Sequence, residues 1–511
     1  MLLSARQNRC KMQITLAINP FSIDNLSMNI LMVTSETVPF SKSGGLADVV
    51  GALSSALAGE GHFVKVFMPM YSFIEEKGFK KSSSFSVPMI SSEEKVETVE
   101  KKLGKVIYVG LKHPYFTDRK GIYGDTSFTP YADNCPRFML FAKAVGLYMN
   151  ATGFDADCVH CHDWTAGLVP YYLKAQKIKA KTMFTIHNLA YQGDFSVYDA
   201  LLSGDVLSDK LFTGPVDSKR LNMLKAGLDT SDIITTVSPT YAIEIQGEEF
   251  GCGLDWLLRA RKDDLYGIIN GIDYKEWNPG SDVYFEEHFN SRSLNGKAQL
   301  KAKVQKDFGL EVREDIPLFS MISRLAEQKG FGELLLSGST SALERILSEN
   351  DVQFIVVGTG DQRYVDKLNE LQAKYPNLSV RIVFSNKIAH MVEGASDFFL
   401  MPSRYEPCGL NQLYSEHYGT LPIAHKTGGL ADTIQDINEK ELTGTGFLFS
   451  AMHPDDIVKA CDRAIDFYKN KEALKRARKL AMTMDFTWNK SASEYEKLYN
   501  KLAQGKNGGN K

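Results

Sequence analysis

Two glycine-rich motifs of nearly the same sequence stand near opposite ends of the chain. Residues 42–48 and 426–432 both contain a lysine, a glycine pair and the helix-opening tripeptide Leu-Ala-Asp. Each follows an apolar run typical of a buried strand, residues 30–33 and 421–424. A strand-to-glycine-to-helix junction offers unpaired backbone N–H groups and the positive end of a helix dipole, which suits phosphate. Either motif alone is equally well explained as a turn, but the pair indicates two nucleotide-binding halves facing one ligand.

Three basic side chains could bind that ligand. Arg324 and Lys329 lie directly after the predicted strand 318–323, and Lys42 belongs to the first glycine motif. Arginine fits a diphosphate with two parallel hydrogen bonds, and lysine supplies a point charge. A solvated surface pair is the alternative for Arg324 and Lys329. Three converging cations predict a diphosphate leaving group that is stabilised without a metal ion.

Polar residues suited to a sugar follow other predicted strands. His187 and Asn188 come after the predicted strand 182–186 and could hydrogen-bond a sugar ring, although a lone histidine is more often structural. Asp163 could cap a helix or bind sugar hydroxyls. Glu406, before a proline, could be a turn residue or the carboxylate that holds a sugar and stabilises oxocarbenium charge. Cys408 is predicted to be a small packing residue that faces the site.

Other chemistries find little support. No Ser–His–Asp arrangement and no carboxylate pair of hydrolase type is apparent. Cys158 and Cys161 have metal-like spacing beside two histidines, but no second cysteine pair follows and the segment alternates like a buried strand, so we do not predict zinc. Asp155 and Asp157 resemble a metal-binding DxD motif but precede their strand, which favours a loop.

Length and composition set the outer limits. A chain of 511 residues predicts two or three domains, and 43% hydrophobic with 24% charged residues is typical of a soluble globular protein. A net charge of −3 gives no general attraction to nucleic acid or anionic membranes, and no apolar run approaches spanning length. The seven scattered cysteines favour a reducing cytoplasm. The oligomeric state stays open.

The elements that position these residues alternate strand and helix through both halves, which predicts an α/β fold of two doubly wound, Rossmann-like domains. The strands predicted in the second half are 318–323, 353–357, 380–384, 398–401 and 421–424. Polar clusters fall at the carboxyl ends of predicted strands, the edge where open α/β sheets bind ligands. Residues 85–111 are predicted to form hairpin-like strands at a sheet edge. The predicted segments are an N-terminal extension (1–27), a first domain (28–275), a second domain (276–485) whose start, 278–295, is the hinge, a last helix (486–503) and a disordered tail (504–511).

The extension looks foreign to the rest of the chain. It carries Arg6, Arg9 and Lys11, no acid before Asp24 and no proper signal-peptide core. Met28 then opens a well-formed strand. A start codon placed too early is our first interpretation, and a basic targeting peptide is the second.

With these motifs collected, the chain resembles bacterial glycogen synthases and plant starch synthases from about residue 28 to residue 502. The resemblance is carried, in order, by KSGGLADVVGAL, HCHDWTAGLVPYYL, TIHNLAYQG, TVSPTYAIEI, INGID, SRLAEQKG, GTGD and SRYEPCGLNQLYSEHYGTLPIAHKTGGLAD. It implies the GT-B architecture, two Rossmann-like domains around a deep cleft with a final helix crossing back to the first. It also implies transfer of glucose from ADP-glucose to the 4-hydroxyl of an α-1,4-glucan, with retention and without a metal or other cofactor.

The resemblance also implies roles for individual residues. It assigns the catalytic roles to Lys42, His187, Arg324, Lys329 and Glu406. It places Lys42, Gly44, Gly45, Arg324 and Lys329 at the diphosphate; Asp163, His187, Asn188, Asn270 and Glu406 around the glucose; Cys408, Gly409 and Leu410 on its far side; Phe384 against the adenine; and Glu36 and Asp48 at acidic positions of the first-domain loop.

Two positions depart from the family pattern. Thr117 stands where a tyrosine is common, and Met391 stands where an arginine often follows the histidine. We predict both at the rim of the cleft, where they bear on acceptor length and nucleotide affinity. Two rival functions remain: a retaining GT-B transferase that uses UDP-glucose or a small acceptor, and a catalytically silent GT-B protein that binds glucan or nucleotide.

Overall fold

The computed structural model describes residues 27–125, 129–202, 204–205, 207–214, 219–441 and 443–507. The predicted extension, apart from its last residue, and the last four residues of the predicted tail lie outside this part of the chain. Within it, the chain forms two large sheets of mainly parallel strands, each covered by helices, and one small antiparallel sheet. This confirms the predicted α/β class with two doubly wound halves.

The first domain is built on a nine-stranded sheet with the order β12-β11-β7-β6-β1-β2-β5-β4-β3. The strands from β12 to β5 run parallel, and β4 and β3 continue the edge in antiparallel fashion. The small sheet has the order β8-β10-β9. The strands are β1 (Asn29–Val33), β2 (Phe63–Pro69), β3 (Lys80–Pro88), β4 (Glu93–Leu103), β5 (Val106–Lys112), β6 (Cys158–His162), β7 (Lys181–Ile186), β8 (Asp194–Ser196), β9 (Phe212–Thr213), β10 (Arg220–Asn222), β11 (Ile233–Thr236) and β12 (Leu265–Gly267).

The antiparallel edge of this sheet confirms the hairpin-like insertion predicted near residues 85–111. The central strands are buried almost along their whole length, as β1 after Asn29 and all of β6 show, because helices cover both faces of a parallel sheet. The helices of this domain are α1 (Gly45–Gly59), α2 (Pro114–Thr117), α3 (Asn134–Thr152), α4 (Val169–Ala175), α5 (Val197–Leu201), α6 (Met223–Thr230), α7 (Pro239–Glu244) and α8 (Asp255–Ala260).

The second domain is built on a six-stranded parallel sheet with the order β15-β14-β13-β16-β17-β18. Its strands are β13 (Leu318–Ile322), β14 (Gln353–Val357), β15 (Leu378–Arg381), β16 (Phe398–Met401), β17 (Leu421–His425) and β18 (Phe447–Phe449). Its helices are α9 (Asn295–Asp307), a π-helical turn (Gly332–Leu336), α10 (Ala342–Glu349), α11 (Gln362–Lys374), α12 (Asn386–Ala395), α13 (Asn411–His417), α14 (Gly428–Thr433), α15 (Pro454–Lys469) and α16 (Lys471–Ala481).

The chain crosses between the domains twice, side by side. The Ile272 amide donates to the Phe486 carbonyl at 2.9 Å, where the first crossing lies beside the second. The last helix, α17 (Trp488–Asn507), then packs into the core of the first domain through residues such as Tyr495 and Tyr499, both fully buried. This helix extends past the predicted end at residue 503, so the first four residues of the predicted tail are helical.

The hinge predicted at residues 278–295 is wrong. Phe285 and Phe289 in this stretch are buried with Leu300 and Tyr418 in a core cluster of the second domain. The stretch looks polar in sequence because its apolar residues are few, but those few are inserted into the domain. The described helices include none that is long and apolar enough to cross a membrane.

Candidate active site

The candidate site lies where the strand order of each large sheet reverses. In the first sheet the reversal falls between β1 and β6, and in the second it falls between β13 and β16. Loops that leave adjacent strands at such a point turn to opposite faces and open a crevice between them. The loops concerned begin after Val33, His162, Ile322 and Met401. They carry most of the polar residues that the sequence singles out.

The first glycine motif lies on the loop after β1, and its amides are occupied by a carboxylate of the chain. Glu36 accepts hydrogen bonds from the Ser43 amide, from the Ser43 hydroxyl at 2.9 Å and from the Gly44 amide at 3.2 Å. The Tyr123 hydroxyl donates to the same carboxylate at 2.9 Å. Burial raises the pKa of Glu36 in spite of these bonds. Glu36 thus holds the loop that leads into α1, which begins at Gly45.

Lys42 is half exposed and turns toward the start of the same helix. Its ammonium forms an ion pair with the Asp48 carboxylate at 2.7 Å. Exposed pairs of this kind contribute little to stability. The lysine can therefore exchange Asp48 for an incoming anion at small cost.

The second domain contributes a buried ion pair. Lys329 donates to the Glu406 carboxylate, whose residue is only 7% exposed, and the Ser403 hydroxyl donates to the same oxygen at 3.1 Å. Arg324 is exposed, and its guanidinium lies 3.5 Å from the Gln328 side-chain oxygen. The structure therefore separates the two predicted cations: one is tied to the carboxylate and the other faces solvent.

A glycine makes the approach of Lys329 to Glu406 possible. Gly330 has a left-handed backbone with φ +77, and a Cβ atom there would lie 1.7 Å from the Pro402 carbonyl oxygen. The turn that carries Lys329 is thus pressed against the loop that carries Glu406, which only glycine permits. The pair lines a cavity of about 130 Å³ together with Ser323, Gly409, Leu410 and residues of β13 and β16.

On the first domain, Asp163 and His187 form one connected unit. Asp163 has φ 57, and its carboxylate accepts the His187 amide at 2.8 Å and also the Asn188 amide. Asp163 stands at the cap position of a short 3-10 turn but makes no side-chain cap bond, so the capping alternative is wrong. Burial raises the pKa of Asp163 to about 7 and lowers the pKa of His187 to about 3, so the imidazole is neutral at neutral pH.

The sequence analysis missed the partner of His187. The Nδ1 atom of His162 lies 3.1 Å from the Nε2 atom of His187, and the other ring nitrogen of His162 is buried without a hydrogen-bond partner among the described residues. His160, two residues earlier, is also fully buried and bonds Tyr499 and Thr185. The alternating histidines of β6 are visible in the sequence and could have indicated this contact, but we considered them only as possible metal ligands.

The loop after Glu406 lines the cavity through Gly409 and Leu410. Burial raises the pKa of the Cys408 thiol to about 12, in keeping with the predicted packing role. Gly409 has φ +74, and Leu410 precedes α13. The side-chain oxygen of Asn270 is buried without a hydrogen-bond partner among the residues described, while the Asn270 side chain contacts the Cys408 thiol. A buried unpaired oxygen is costly and leaves a free acceptor at this place.

The residue expected at the adenine lies in a different element from the one predicted. The strand predicted at 380–384 ends at Arg381, and Phe384 lies in the following loop with 83% of its surface exposed. Met391, expected at the rim, is 7% exposed and packs in a core cluster with Val392, so that expectation is wrong. Thr117 donates its hydroxyl to the His113 carbonyl at 3.2 Å.

The second glycine motif does not offer a free amide. The Gly428 amide donates to the Glu244 carboxylate of the first domain at 3.0 Å, and the Gly429 amide donates to the Glu406 carbonyl at 3.0 Å. Lys426 is exposed at the end of β17. Glu36 occupies the Gly44 amide of the first motif in the same way, so the expectation that both motifs present open amides is wrong for both.

The two sets of loops meet. A Cβ atom at Gly45 would lie 3.7 Å from the Leu410 side chain, and the Asn188 side chain contacts the Tyr405 hydroxyl. These contacts bring the first-domain loops that carry Gly45 and Asn188 against the second-domain loop that carries Tyr405 and Leu410. The described residues contain no cluster of three or more His, Cys, Asp or Glu side chains arranged to hold a metal ion.

Two parallel sheets with facing switch points, cations and carboxylates between them, and a last helix returned to the first domain define a glycosyltransferase of the GT-B type. The starch synthase catalytic domain matches residues 29–260, and the group 1 glycosyl transferases match residues 303–481. The catalytic domain of starch synthase IV from Arabidopsis thaliana, solved with ADP and acarbose, has a TM-score of 0.83 and 29% identity, covering 94% of this chain and 100% of its own. A sucrose-phosphate synthase from Thermosynechococcus elongatus, 16% identical with a TM-score of 0.60, shares the fold over 94% of this chain and all of its own.

Similar proteins of known name identify the family within the GT-B glycosyltransferases. The chain is 43% identical over 481 residues to a glycogen synthase of Treponema denticola, covering 92% of this chain and 98% of that one. It is 41% identical over 486 residues to a glycogen synthase of an Anaeromyxobacter species, covering 93% and 100%. The chain belongs to the glycogen synthase and starch synthase family and is a hexosyltransferase.

Proposed function

We propose that this chain transfers glucose from ADP-glucose to the 4-hydroxyl group at the non-reducing end of an α-1,4-glucan, with retention of the α-configuration. The observation that carries the proposal is the buried pair of Lys329 and Glu406 beside a cavity at the switch point of the second sheet. A cation next to a carboxylate suits a reaction in which a diphosphate leaves and an oxocarbenium-like sugar remains. The ADP found in the related starch synthase IV structure supports the choice of nucleotide.

The diphosphate is assigned to three cations and one glycine loop. Lys329 and Arg324 approach it from the second domain, while Lys42 and the amides of Gly44 and Gly45 approach it from the first, the Gly44 amide exchanging Glu36 for the diphosphate. As the C1–O bond breaks, negative charge builds on the diphosphate, and these groups stabilise it. Lys42 is paired with Asp48, so donor binding exchanges one carboxylate partner for the diphosphate.

The transferred glucose is assigned to carboxylate, amide and imidazole groups. Asp163, His187, Asn188 and Asn270 hold its hydroxyls from one side, and Glu406 holds it from the other. His187 acts as a neutral hydrogen-bonding group, because burial lowers its pKa to about 3. The free side-chain oxygen of Asn270 gains a donor from a sugar hydroxyl, which removes the cost of leaving it unpaired.

The remaining assignments complete the donor site. Cys408, Gly409 and Leu410 line the far side of the glucose, and exposed Phe384 gains cover when adenine stacks on it. The incoming 4-hydroxyl attacks on the face that the diphosphate leaves, and the departing phosphate oxygen takes its proton. This route needs no protein nucleophile. Glu36 and Asp48 keep the first-domain loop in place until the donor arrives.

Transfer of label from ADP-glucose carrying ¹⁴C in the glucose to glycogen tests the proposal. We expect incorporation that depends on glycogen, and release of the added label by an exo-acting amylase specific for α-1,4 bonds. Equal or faster incorporation from UDP-glucose would support the alternative donor, and transfer to free glucose or fructose would support a small acceptor. Binding of ADP without any transfer would identify a catalytically silent protein and reject the proposal.

Cellular location is a separate prediction. A cytoplasmic place fits the cysteines that the structure describes, all of them free, and fits a substrate made inside the cell. The oligomeric state stays open. Nucleic acid and membranes are not among the partners we propose.

A further inference from the structure

The segment TVSPTYAIEI contributes none of the site residues assigned above, yet it touches the second domain at the site. It contains the end of β11 and the short helix α7, which belong to the first domain. Ser238 caps α7 by accepting the Tyr241 amide at 3.2 Å, and its hydroxyl donates to the Pro407 carbonyl at 2.6 Å. Pro407 directly follows Glu406. One end of α7 is thus bonded to the loop that carries the site carboxylate.

The helix makes a second contact with the same domain. Asp432, the next-to-last residue of α14, accepts both the backbone amide and the hydroxyl of Thr240 at 2.7 Å each. A carboxylate that accepts two donors from one residue fixes the relative orientation of α7 and α14. These hydrogen bonds therefore hold the two helices in one defined relative position.

The far end of α7 carries the third and most consequential contact. Glu244 is partly buried, and its carboxylate accepts the Thr427 hydroxyl at 3.0 Å and the Gly428 amide at 3.0 and 3.1 Å. Burial raises the pKa of Glu244. Glu244 therefore binds the second glycine motif in the way that the sequence predicted for a phosphate.

The glycine motif transmits this contact to Glu406. Gly428 has a left-handed backbone with φ +43, and a Cβ atom there would lie 2.0 Å from the Glu406 carbonyl oxygen. Gly429 donates its amide to the same carbonyl at 3.0 Å. Glu244 of the first domain thus binds Gly428, and the next residue, Gly429, binds the carbonyl of Glu406.

We propose that Glu244 is a positioning residue for glucosyl transfer: from α7 it holds the second glycine motif, and through it the Glu406 loop, in the arrangement in which the site of one domain faces that of the other. The inference rests on the proposed function, because it gives Glu406 its role at the sugar. Glu244 itself contacts neither the donor nor the acceptor. Its effect is on the placement of the reacting groups, where an error of 1 Å costs about 100-fold in rate.

The first measurement is independent of activity. In the intact protein, hydrogen–deuterium exchange of a peptide spanning residues 425–433 reports the Gly428 and Gly429 amides. We expect faster exchange of this peptide in Glu244→Ala, with a peptide from α15 unchanged. Unchanged exchange at 425–433 would overturn the inference, whether or not the protein transfers glucose. Failure of the wild-type protein to transfer glucose would instead reject the proposed function and, with it, the catalytic part of the inference.

The second measurement separates positioning from binding and from folding. We expect Glu244→Ala to lower kcat by about 10- to 100-fold, while KM for ADP-glucose changes by less than about threefold. Glu244→Gln should recover most of the activity, because its side-chain oxygen still accepts the Gly428 amide. Glu248→Ala is the matched control, an exposed glutamate just beyond α7, and should behave as wild type.

The remaining outcomes also test whether Glu244 is a positioning residue. If exchange rises in Glu244→Ala but kcat is unchanged, the contact is structural only and the positioning role is wrong. If Glu244→Ala unfolds at the assay temperature, Thr240→Ala tests the same docking through Asp432, and we expect a smaller loss of kcat in the same direction. A Thr240→Ala variant with wild-type kcat and wild-type exchange would also refute the role of α7.

Discussion

Replacing Lys329 by alanine should slow turnover more than it weakens donor binding. The Lys329 ammonium is paired with the Glu406 carboxylate, and the two side chains are 19% and 9% exposed. When the donor binds, this ammonium is shared between the carboxylate and the diphosphate, so the net gain in the ground state is small. As the bond to the leaving group breaks, the diphosphate gains charge and its attraction to Lys329 grows.

The size of the effect follows from this difference. Removing one preorganised group that stabilises developing charge costs about 2–4 kcal/mol in the activation free energy, or roughly 30- to 1000-fold in kcat. Loss of the ammonium also leaves Glu406 buried without its countercharge, and breaking a buried pair in this way costs about 3–5 kcal/mol at most. The pair is partly open to the cavity, so the loss of folding stability should be well below that limit.

Steady-state kinetics and ADP titration calorimetry separate the two effects. We expect Lys329→Ala to lower kcat within the range above and to change the Kd of ADP by less than tenfold. Lys329→Arg keeps the charge and should retain more activity than the alanine variant. Adding Glu406→Gln to Lys329→Ala removes the stranded carboxylate, and the double-mutant cycle then measures the coupling between the two side chains. Lys374→Ala, which removes an exposed lysine from its ion pair with the buried Glu344, is the control and should keep the wild-type kcat and Kd.

Two results would refute this reasoning. If kcat is unchanged in Lys329→Ala while KM for ADP-glucose alone rises, the lysine contributes only uniform binding and not transition-state stabilisation. If the double variant regains wild-type kcat, the lysine serves only to neutralise Glu406. Either finding would move the site of charge stabilisation to Arg324 and Lys42.

Two further predictions concern groups outside that pair. Lys42→Ala should weaken ADP binding, because a charge-assisted contact contributes about 1.5–3 kcal/mol, and should also slow transfer, whereas Lys426→Ala should leave the Kd near wild type. Equal losses by calorimetry would show that Lys426 also binds the diphosphate. His160 and His162 are fully buried with pKa values lowered by burial, that of His160 to about 3. Since only the unfolded chain protonates them below about pH 6.5, their contribution to stability is full above that pH and falls by about 1.4 kcal/mol per pH unit for each imidazole as the pH drops toward 3. Urea unfolding from pH 7 to 5 measures this slope; an equal slope in His162→Asn would contradict the assignment.

Local sequence was enough for the strands and for the kind of residue that ends them. The strands 353–357 and 398–401 are observed as predicted, because continuous apolar runs bounded by polar turns are typical of buried parallel strands. The place of the site followed from the same signals, since polar clusters at strand ends must meet at the carboxyl edge of a parallel sheet.

Predictions failed where a distant packing partner outweighs the local pattern. The stretch 278–295 is polar on average, but Phe285 and Phe289 insert into a core that only the folded second domain supplies. The apolar residues next to Phe384 in the sequence predict a strand there. In the structure, β15 pairs with β14 only as far as Arg381. Apolar character does not by itself say where a ladder of hydrogen bonds ends.

The sequence by itself determined which strands end in glycine motifs, cations and a carboxylate, and predicted that these groups gather at one place, since residue type and strand position are local properties. Only the tertiary structure decided what each of them binds. Lys329 meets Glu406 across 77 positions, and Gly428 meets Glu244 across 184. Two motifs of nearly the same sequence thus differ in use, one held by a nearby carboxylate of its own loop and the other bonded to the opposite domain. The physical reason is that an open amide donates to any acceptor that packing brings to it, and the packing of distant segments is a property of the whole fold.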